Sequence, residues 1–238
     1  MPSAIHYRLL GQTATFAMHA GNSVVMLLSM QDQELMKDTR IRDMVSMQGR
    51  YLTVWNIAFQ MSYFALALAC DFTTVTGTEH IIPKSLRQFR QKYFASVVFP
   101  VSALVFALFW PMFLYDRELL FPAFIDKIFS FNSNLVMHFF ILPAVLWELA
   151  FLKRPIPKSH KLSFGVISLI NFVYNSFIAY THSVRGLFPY PILYMVYGTI
   201  WYALLHGFIY ILGLGLYLFQ WKLTAFFWGK EENKLKKK

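Results

Sequence analysis

Six long apolar segments, separated by short polar stretches, dominate the pattern of this chain. A helix needs about 20 apolar residues to cross roughly 30 Å of hydrocarbon, and in lipid only helices and closed barrels satisfy every backbone group. The segments are continuous and rich in Phe and Leu, without the alternation of barrel strands. We therefore predict an all-α, polytopic integral membrane protein with a bundle of six transmembrane helices. The predicted spans are 7–30, 51–72, 93–115, 131–152, 162–181 and 191–221.

The composition strengthens this prediction. Hydrophobic residues make up 57% of the 238 residues, against roughly 45–50% in soluble domains, and charged residues make up 14%, against roughly 25%. A soluble globule of this size has too much surface to hide so many apolar side chains. The formal charge of +10 is spread between the apolar runs, so we expect no nucleic-acid partner. Residues 1–238 are predicted to form a single transmembrane domain that ends in a basic tail at 222–238.

The basic residues predict how the bundle is oriented. Fifteen of the 22 Lys and Arg residues fall on the side that holds both termini, and seven fall on the other side. Cytoplasmic loops carry such an excess, so both termini are predicted in the cytosol. Lys234 and Lys236 stand five and three places from the end, a spacing similar to a dilysine retrieval address of the endoplasmic reticulum. The alternative is a solvated tail attracted to anionic lipid. We expect an endoplasmic reticulum or endomembrane location, with the plasma membrane as the alternative.

Apart from Arg8, which is counted with the charges of the cytosolic side, five ionisable side chains fall inside the predicted spans, where each costs at least a few kcal/mol and needs a physical reason. They are His19, Asp71, His138, Glu148 and His206. Asp71 and Glu148 lie near the cytosolic ends of their spans, where interfacial anchoring or interhelical hydrogen bonds would explain them. His19 and His206 lie near mid-span, where a hydrogen bond between helices is the simpler interpretation.

Thr53 and His138 are predicted at similar depth in two parallel spans. Both spans descend from the non-cytosolic side, so Thr53 lies about 5 Å and His138 about 9 Å inside at 1.5 Å per residue. If these spans are neighbours, His138 can act as a base for the Thr53 hydroxyl. The alternatives stay open, because threonines bond their own backbone and histidines bridge helices in many membrane proteins. Asn56 and Gln60 share a face with Thr53, and each suits either an oxyanion donor or a polar packing stripe.

The segment FWPMFLYDRELLFP at 109–122 carries a resemblance to a known family. The match continues at Asp126, Asn134, Met137, His138, Leu142 and Pro143, and includes YLTVWNIAFQ at 51–60. The chain resembles the androgen-induced gene 1 family of six-span membrane proteins over nearly its whole length. The resemblance implies a threonine hydrolase that cleaves fatty acid esters of hydroxy fatty acids, with the nucleophile on Thr53 and the catalytic histidine on His138. The relatives carry an acidic residue where this chain has Asn56, so a role for an acid that orients the histidine does not carry over to this position.

Two classes of function follow from these observations. The first is an enzyme that takes a lipid ester from the bilayer and needs no cofactor and no metal. In this case Arg117, in a loop on the same side of the membrane as Thr53 and His138, either meets a substrate carboxylate or pairs with neighbouring acidic residues. The second is a non-catalytic carrier or regulator that binds haem, a metal or a solute through its intramembrane histidines.

Overall fold

The computed structural model describes the backbone of residues 4–235 and the side chains of residues 4–229, and within these residues the regular elements are helical. The helices are α1 Ala4–Ser29, α2 Thr39–Ser46, α3 Leu52–Val75, α4 Lys84–Tyr93, α5 Phe99–Asp116, α6 Phe131–His138, α7 Ile141–Phe151, α8 Lys161–Arg185, α9 Pro191–Val196 and α10 Ile200–Leu235. A π-helical turn, Phe94–Val98, joins α4 to α5. The all-α prediction is confirmed. The predicted dilysine-like tail has its side chains outside the described residues.

Five helical stretches are long and apolar enough to cross a membrane. Within the described residues they are Leu52–Val75, Lys84–Leu119, Phe131–Phe151, Lys161–Arg185 and Ile200–Gly229. Helix α1 has 26 residues, which is sufficient length, but it is more polar than these five. Length and composition therefore support an integral membrane protein with five candidate spans, one fewer than the six predicted.

Helix α1 turns its polar side chains inward and its apolar side chains outward. Gln12 and His19 are buried against α3 and α7, whereas Val24, Leu27 and Leu28 are exposed. This arrangement is the reverse of a helix on the surface of a soluble protein. The buried polar residues lower the mean hydropathy of the whole helix, so this mean is lower than the hydropathy of the outer face alone.

The predicted span 131–152 is interrupted, because α6 ends at His138 and α7 begins at Ile141. Pro143 has no backbone N–H, and its ring crowds the carbonyl of Phe139 four residues earlier. The helix widens at this point, with the N–H of Phe140 donating to the carbonyl of Leu135 at 2.9 Å. The break leaves His138 at the end of a helix.

The predicted sixth span, 191–221, is also interrupted. Helix α9 ends at Val196, and Gly198 adopts a φ of 77°, a left-handed conformation that favours glycine. Helix α10 then starts at Ile200 and continues past the predicted end to Leu235. The span that crosses the bundle is therefore α10 alone, and α9 belongs to the connection before it.

The two ends of the bundle differ in chemistry. The Thr53 end consists of 30–51, 117–130 and 186–199, whose residues contact one another, as in the ion pair between Lys127 and Asp38 and the edge-on contact between the rings of Tyr51 and Tyr190. The opposite end holds five buried or part-buried charged side chains that we name the ion cluster: Arg8, Asp71, Arg90, Glu148 and Arg154. These ion pairs join α1, α3, α4 and α7. The structure thus confirms the prediction that Asp71 and Glu148 bond other helices.

Candidate active site

Thr53 and His138 meet within the bundle. The Thr53 Oγ1 atom lies 3.1 Å from His138 Nε2, at hydrogen-bond distance. Thr53 is the second residue of α3, and His138 is the last residue of α6. A hydroxyl and an imidazole from separate helices thus form one pair, in the relation that a nucleophile needs to its general base.

Asn134 fixes the orientation of the His138 ring. The Nδ1 atom of His138 lies 2.6 Å from Asn134 Oδ1 and 3.2 Å from the Asn134 carbonyl oxygen. A carbonyl oxygen can only accept a hydrogen bond, so Nδ1 carries the proton of the neutral ring. The Nε2 atom consequently presents its lone pair to the Thr53 hydroxyl. The arrangement has the form Thr53–His138–Asn134.

Aromatic side chains enclose this pair. The ring of Phe109 stacks on the His138 ring with centroids 3.6 Å apart and planes at 9°, and Phe121 meets it edge-on. Trp110 Nε1 donates to the His138 carbonyl at 3.0 Å, which holds the end of α6 in place. His138 is only 5% exposed. Water therefore has little access to the imidazole from the Phe109 side.

The first turn of α3 presents a free backbone donor beside the Thr53 hydroxyl. The N–H of Leu52 donates to Tyr190 Oη at 2.9 Å, and those of Val54 and Trp55 donate to the Tyr51 carbonyl. The N–H of Thr53 has no such partner among the described residues, as expected for the start of a helix. Burial raises the pKa of Tyr190, so its phenol stays neutral and continues to hold this turn.

Asn56 and Gln60 occupy different environments below Thr53. Asn56 Oδ1 accepts a hydrogen bond from Ser102 Oγ at 2.8 Å, and the buried Nδ2 atom has no partner among the described residues. Gln60 Nε2 donates to Ser102 Oγ and to the Ile141 carbonyl, while Oε1 lies 2.9 Å from His19 Nε2. Asn56 thus has a donor to spare, whereas both amide hydrogens of Gln60 are already used.

Arg117 is engaged within its own loop. Its Nη2 donates to Asp126 Oδ1 at 2.7 Å and its Nε donates to the Phe121 carbonyl at 3.1 Å. The guanidinium also lies over the ring of Phe113, 5.1 Å from the centroid. Arg117 therefore pairs with an acidic residue of the protein, the second of its two predicted roles. The partner is Asp126 and not one of its immediate neighbours in the sequence.

Two cavities meet at Thr53. The larger, of about 150 Å³, lies between α5, α8, α9 and α10 and extends from Thr53 to Gly213. The smaller, of about 50 Å³, is lined by His138 and by Met26, Met44, Met137 and residues of the Thr53 end. Thr53, Phe109, Leu120 and Tyr190 line both cavities. The hydroxyl is therefore accessible from two apolar spaces.

The intramembrane histidines do not converge. His19 bonds Gln60, His138 bonds Thr53 and Asn134, and His206 bonds the backbone of Tyr202. Among the described residues, no group of three or more His, Cys, Asp and Glu side chains is arranged to hold a metal ion. No contact in this arrangement favours the carrier interpretation.

Sequence reasoning missed Asn134, Phe109 and Tyr190 as parts of the site. Asn134 stands four residues before His138, which places both on one helical face, and this spacing was available in the sequence. Phe109 and Tyr190 come from distant parts of the chain, and only the packing of α5 and the Thr53 end brings them to Thr53.

The chain is similar to known proteins of one family. The model of the FAR-17a/AIG1-like protein family matches residues 14–225. The androgen-dependent TFPI-regulating protein of Mus musculus is 32% identical over 183 residues, which cover 76% of this chain and 78% of that protein. The human androgen-induced gene 1 protein is 26% identical over 203 residues, which cover 79% of this chain and 83% of that protein. No solved structure matches. The resemblance seen in the sequence is confirmed, and the chain belongs to the FAR-17a/AIG1-like family.

Proposed function

We propose that this protein is an intramembrane lipid ester hydrolase that cleaves fatty acid esters of hydroxy fatty acids into a fatty acid and a hydroxy fatty acid. The observation that carries the proposal is the 3.1 Å contact between Thr53 Oγ1 and His138 Nε2, with Nδ1 held by Asn134. Family membership supports it, because the resemblance implies this chemistry. The substrate is an apolar ester drawn from the bilayer, and the reaction uses no cofactor or metal.

In the first step His138 acts as the general base. Its Nε2 takes the proton of the Thr53 hydroxyl while Oγ1 attacks the ester carbonyl carbon. The carbon–oxygen ester bond then breaks, and His138 returns the proton to the departing alkoxide. The hydroxy fatty acid leaves, and the fatty acyl group stays bound to Thr53 as an ester.

In the second step water releases the acyl group. His138 takes a proton from a water molecule whose oxygen attacks the acyl carbon, and the bond to Thr53 Oγ1 breaks. The proton passes from His138 to Thr53, which restores the hydroxyl and frees the fatty acid. Asn134 keeps the same ring nitrogen available in both steps, since its oxygens retain the proton on Nδ1.

Two donors suit the negative oxygen that forms during attack. Among the described residues the Thr53 N–H has no hydrogen-bond partner, and neither has the buried Asn56 Nδ2, one helical turn further along. Donors that are fixed before the reaction stabilise an oxyanion most in a site that excludes water. We assign this role to Thr53 N–H and Asn56, and not to Gln60, whose amide hydrogens are occupied.

The test compares single variants of the two reacting residues. We expect Thr53→Ala and His138→Ala to insert normally but to lose both ester hydrolysis and labelling by a fluorophosphonate probe, because each removes one member of the pair. Thr53→Ser keeps the attacking oxygen and should retain part of the activity. Thr76→Ala, an exposed threonine just beyond α3, is the matched control and should behave as wild type. Hydrolysis or labelling that persists in Thr53→Ala would refute the assignment of the nucleophile.

We also propose that α1 is a sixth span and that both termini face the cytosol. Its 26 residues extend about 39 Å at 1.5 Å per residue, enough to cross the hydrocarbon. It packs along α3 and α7 with its apolar face outward, as a span in contact with lipid would. The excess of Lys and Arg supports the orientation. An endoplasmic reticulum or endomembrane location is proposed from the basic tail.

A further inference from the structure

The junction of the two cavities at Thr53 bears on how an ester would lie in the site. An ester has an acyl chain on one side of its carbonyl carbon and an alcohol portion on the other. With its carbonyl carbon at Thr53 Oγ1, the two portions of the ester would extend in different directions, and two cavities of unequal size diverge from this residue. The question is which portion occupies which cavity.

The place of His138 answers this question. His138 lines the smaller cavity and does not line the larger one. The same Nε2 that deprotonates Thr53 must protonate the departing alkoxide, so the oxygen of the alcohol portion has to lie on the His138 side. Resting on the proposed hydrolysis, we infer that the alcohol portion binds in the smaller cavity and the acyl chain binds in the larger one.

The lining of each cavity fits this orientation. The smaller cavity has three methionines, Met26, Met44 and Met137, whose unbranched side chains adapt to irregular shapes. It also reaches Gln48 at the Thr53 end, where the loops carry basic and acidic side chains. A hydroxy fatty acid is branched at its oxygen and has a free carboxylate, so it suits an adaptable space that leads towards polar loops.

The larger cavity is elongated along α8. Ile178 and Ile167 of α8 both line it, and their spacing corresponds to about 16 Å at 1.5 Å per residue. Its polar side chains have partners, since Asn175 donates to Asn171, Tyr210 bonds Ser168, and His206 bonds the backbone of Tyr202. What remains for a ligand is mainly an apolar channel, which fits an unbranched acyl chain.

Along α10, Gly213 is the lining residue of the larger cavity that lies furthest from the Thr53 end. A Cβ atom placed there would stand 3.7 Å from Leu104 Cδ2, an ordinary contact, so the glycine is not required by close packing. A larger side chain at Gly213 would fill this part of the channel, and a smaller one at Leu104 would enlarge it. Gly213 and Leu104 therefore set the preferred length of the acyl chain.

The experiment measures hydrolysis of two series of synthetic esters. The first has one hydroxy acid and acyl chains of graded length, and the second has one acyl chain and graded ester positions along the hydroxy acid. We expect Gly213→Leu to lower the ratio of long-chain to short-chain hydrolysis about tenfold or more, as excluding methylenes from an apolar pocket does. Leu104→Ala should shift the preference to longer chains, and Met44→Phe should change the preferred ester position alone.

Gly215→Leu is the matched control, because Gly215 is exposed and lies outside both cavities. It should keep both wild-type preferences. The inference is overturned if Gly213→Leu changes the preference for ester position and Met44→Phe changes the preference for acyl length, or if none of the three variants changes either. Wild-type protein that hydrolyses no ester and takes no fluorophosphonate label would instead refute the proposed function itself, so the two failures are distinguishable.

Discussion

At the scale of single residues, the reactivity of Thr53 depends on which nitrogen of His138 carries the proton. A free imidazole in water exchanges between tautomers, whereas here two oxygens of Asn134 face Nδ1. The flat contact with Phe109 prevents the ring from turning away. The hydroxyl of a threonine is a poor nucleophile without a positioned base, so this restraint is as important to the proposed chemistry as the base itself.

We predict that Asn134→Leu lowers kcat and leaves KM nearly unchanged. The variant removes the side-chain acceptor of the Nδ1 proton, and a lost hydrogen bond of about 1–3 kcal/mol corresponds to a fall of about 5- to 150-fold. Asn134→Asp keeps an oxygen at the same place and should retain more activity than Asn134→Leu. Steady-state hydrolysis of one ester by the purified variants measures this. Equal kcat values for wild type and Asn134→Leu would contradict a positioning role.

The sequence allowed only part of this site to be predicted. The similar depth of Thr53 and His138 in parallel spans follows from the helical rise per residue. Their contact also requires that the two spans be neighbours, which the hydrophobic pattern of the sequence does not determine. The unpartnered state of Asn56 and the engaged state of Gln60 both depend on Ser102, which comes from another helix. Residue type indicated polar chemistry, and tertiary packing decided which groups remain available.

At the scale of helices, the ion cluster joins elements that are distant in sequence. Glu148 is fully buried and accepts from Arg90 at 2.8 Å, from Arg154 at 3.2 Å and from Tyr63 at 2.6 Å. Asp71 accepts from Arg8 and Arg90 in the same way. Every acid is thus shared by more than one donor, and this satisfies the charges that would otherwise be costly inside the bundle.

We predict that Glu148→Gln lowers the free energy of unfolding by about 3–5 kcal/mol, because it removes the counter-charge of the buried Arg154 and one of the two counter-charges of Arg90. Thermal unfolding in detergent measures the loss. Glu34→Gln, which breaks an exposed pair with Lys37, is the matched control and should cost at most about 1 kcal/mol. The double variant Glu148→Gln with Arg154→Met should be less destabilised than the sum of its single variants. Similar losses in the two single Glu variants would show that the cluster does not stabilise the fold.

The helix boundaries show where sequence patterns stop being informative. Apolar runs predicted the long helices well, because lipid requires such runs. The interruptions at Pro143 and Gly198 were harder to place, since a membrane helix tolerates proline and glycine when neighbouring groups satisfy the backbone. A proline inside an apolar run favours a kink, but the structure alone shows that the helix opens several residues before Pro143, at Phe139.

At the scale of the whole molecule, the two ends of the bundle differ in the residues they hold and in the roles these residues suit. One end contains the candidate site and both cavities reach it, while the other is tied together by the ion cluster. The helices α8 and α10 are mainly exposed along their length and flank the larger cavity. In a membrane these exposed surfaces face lipid, so this side of the bundle is where an apolar ester would enter.

We predict that single cysteines at both ends of the bundle report opposite sides of the membrane. Ala4→Cys and Ser159→Cys should react with a membrane-impermeant maleimide from the cytosol, and Ser46→Cys should react only after all membranes are dissolved. All three residues are exposed. Wild type is the control, because its Cys70 is buried and should remain unlabelled. Labelling of Ala4→Cys together with Ser46→Cys would show that α1 does not cross the membrane.

The interruption of the fourth span at residues 139 and 140 has an electrostatic consequence for the reaction. Because α6 stops at His138, the imidazole sits at the negative pole of a helix dipole, which favours the positive charge it gains on accepting a proton. Thr53 sits at the positive pole of α3, which favours the negative charge that develops on the attacked carbonyl oxygen. An uninterrupted fourth helix would lack the first of these effects. The proline kink thereby adds a helix-dipole field at His138 to the one that the start of α3 provides at Thr53.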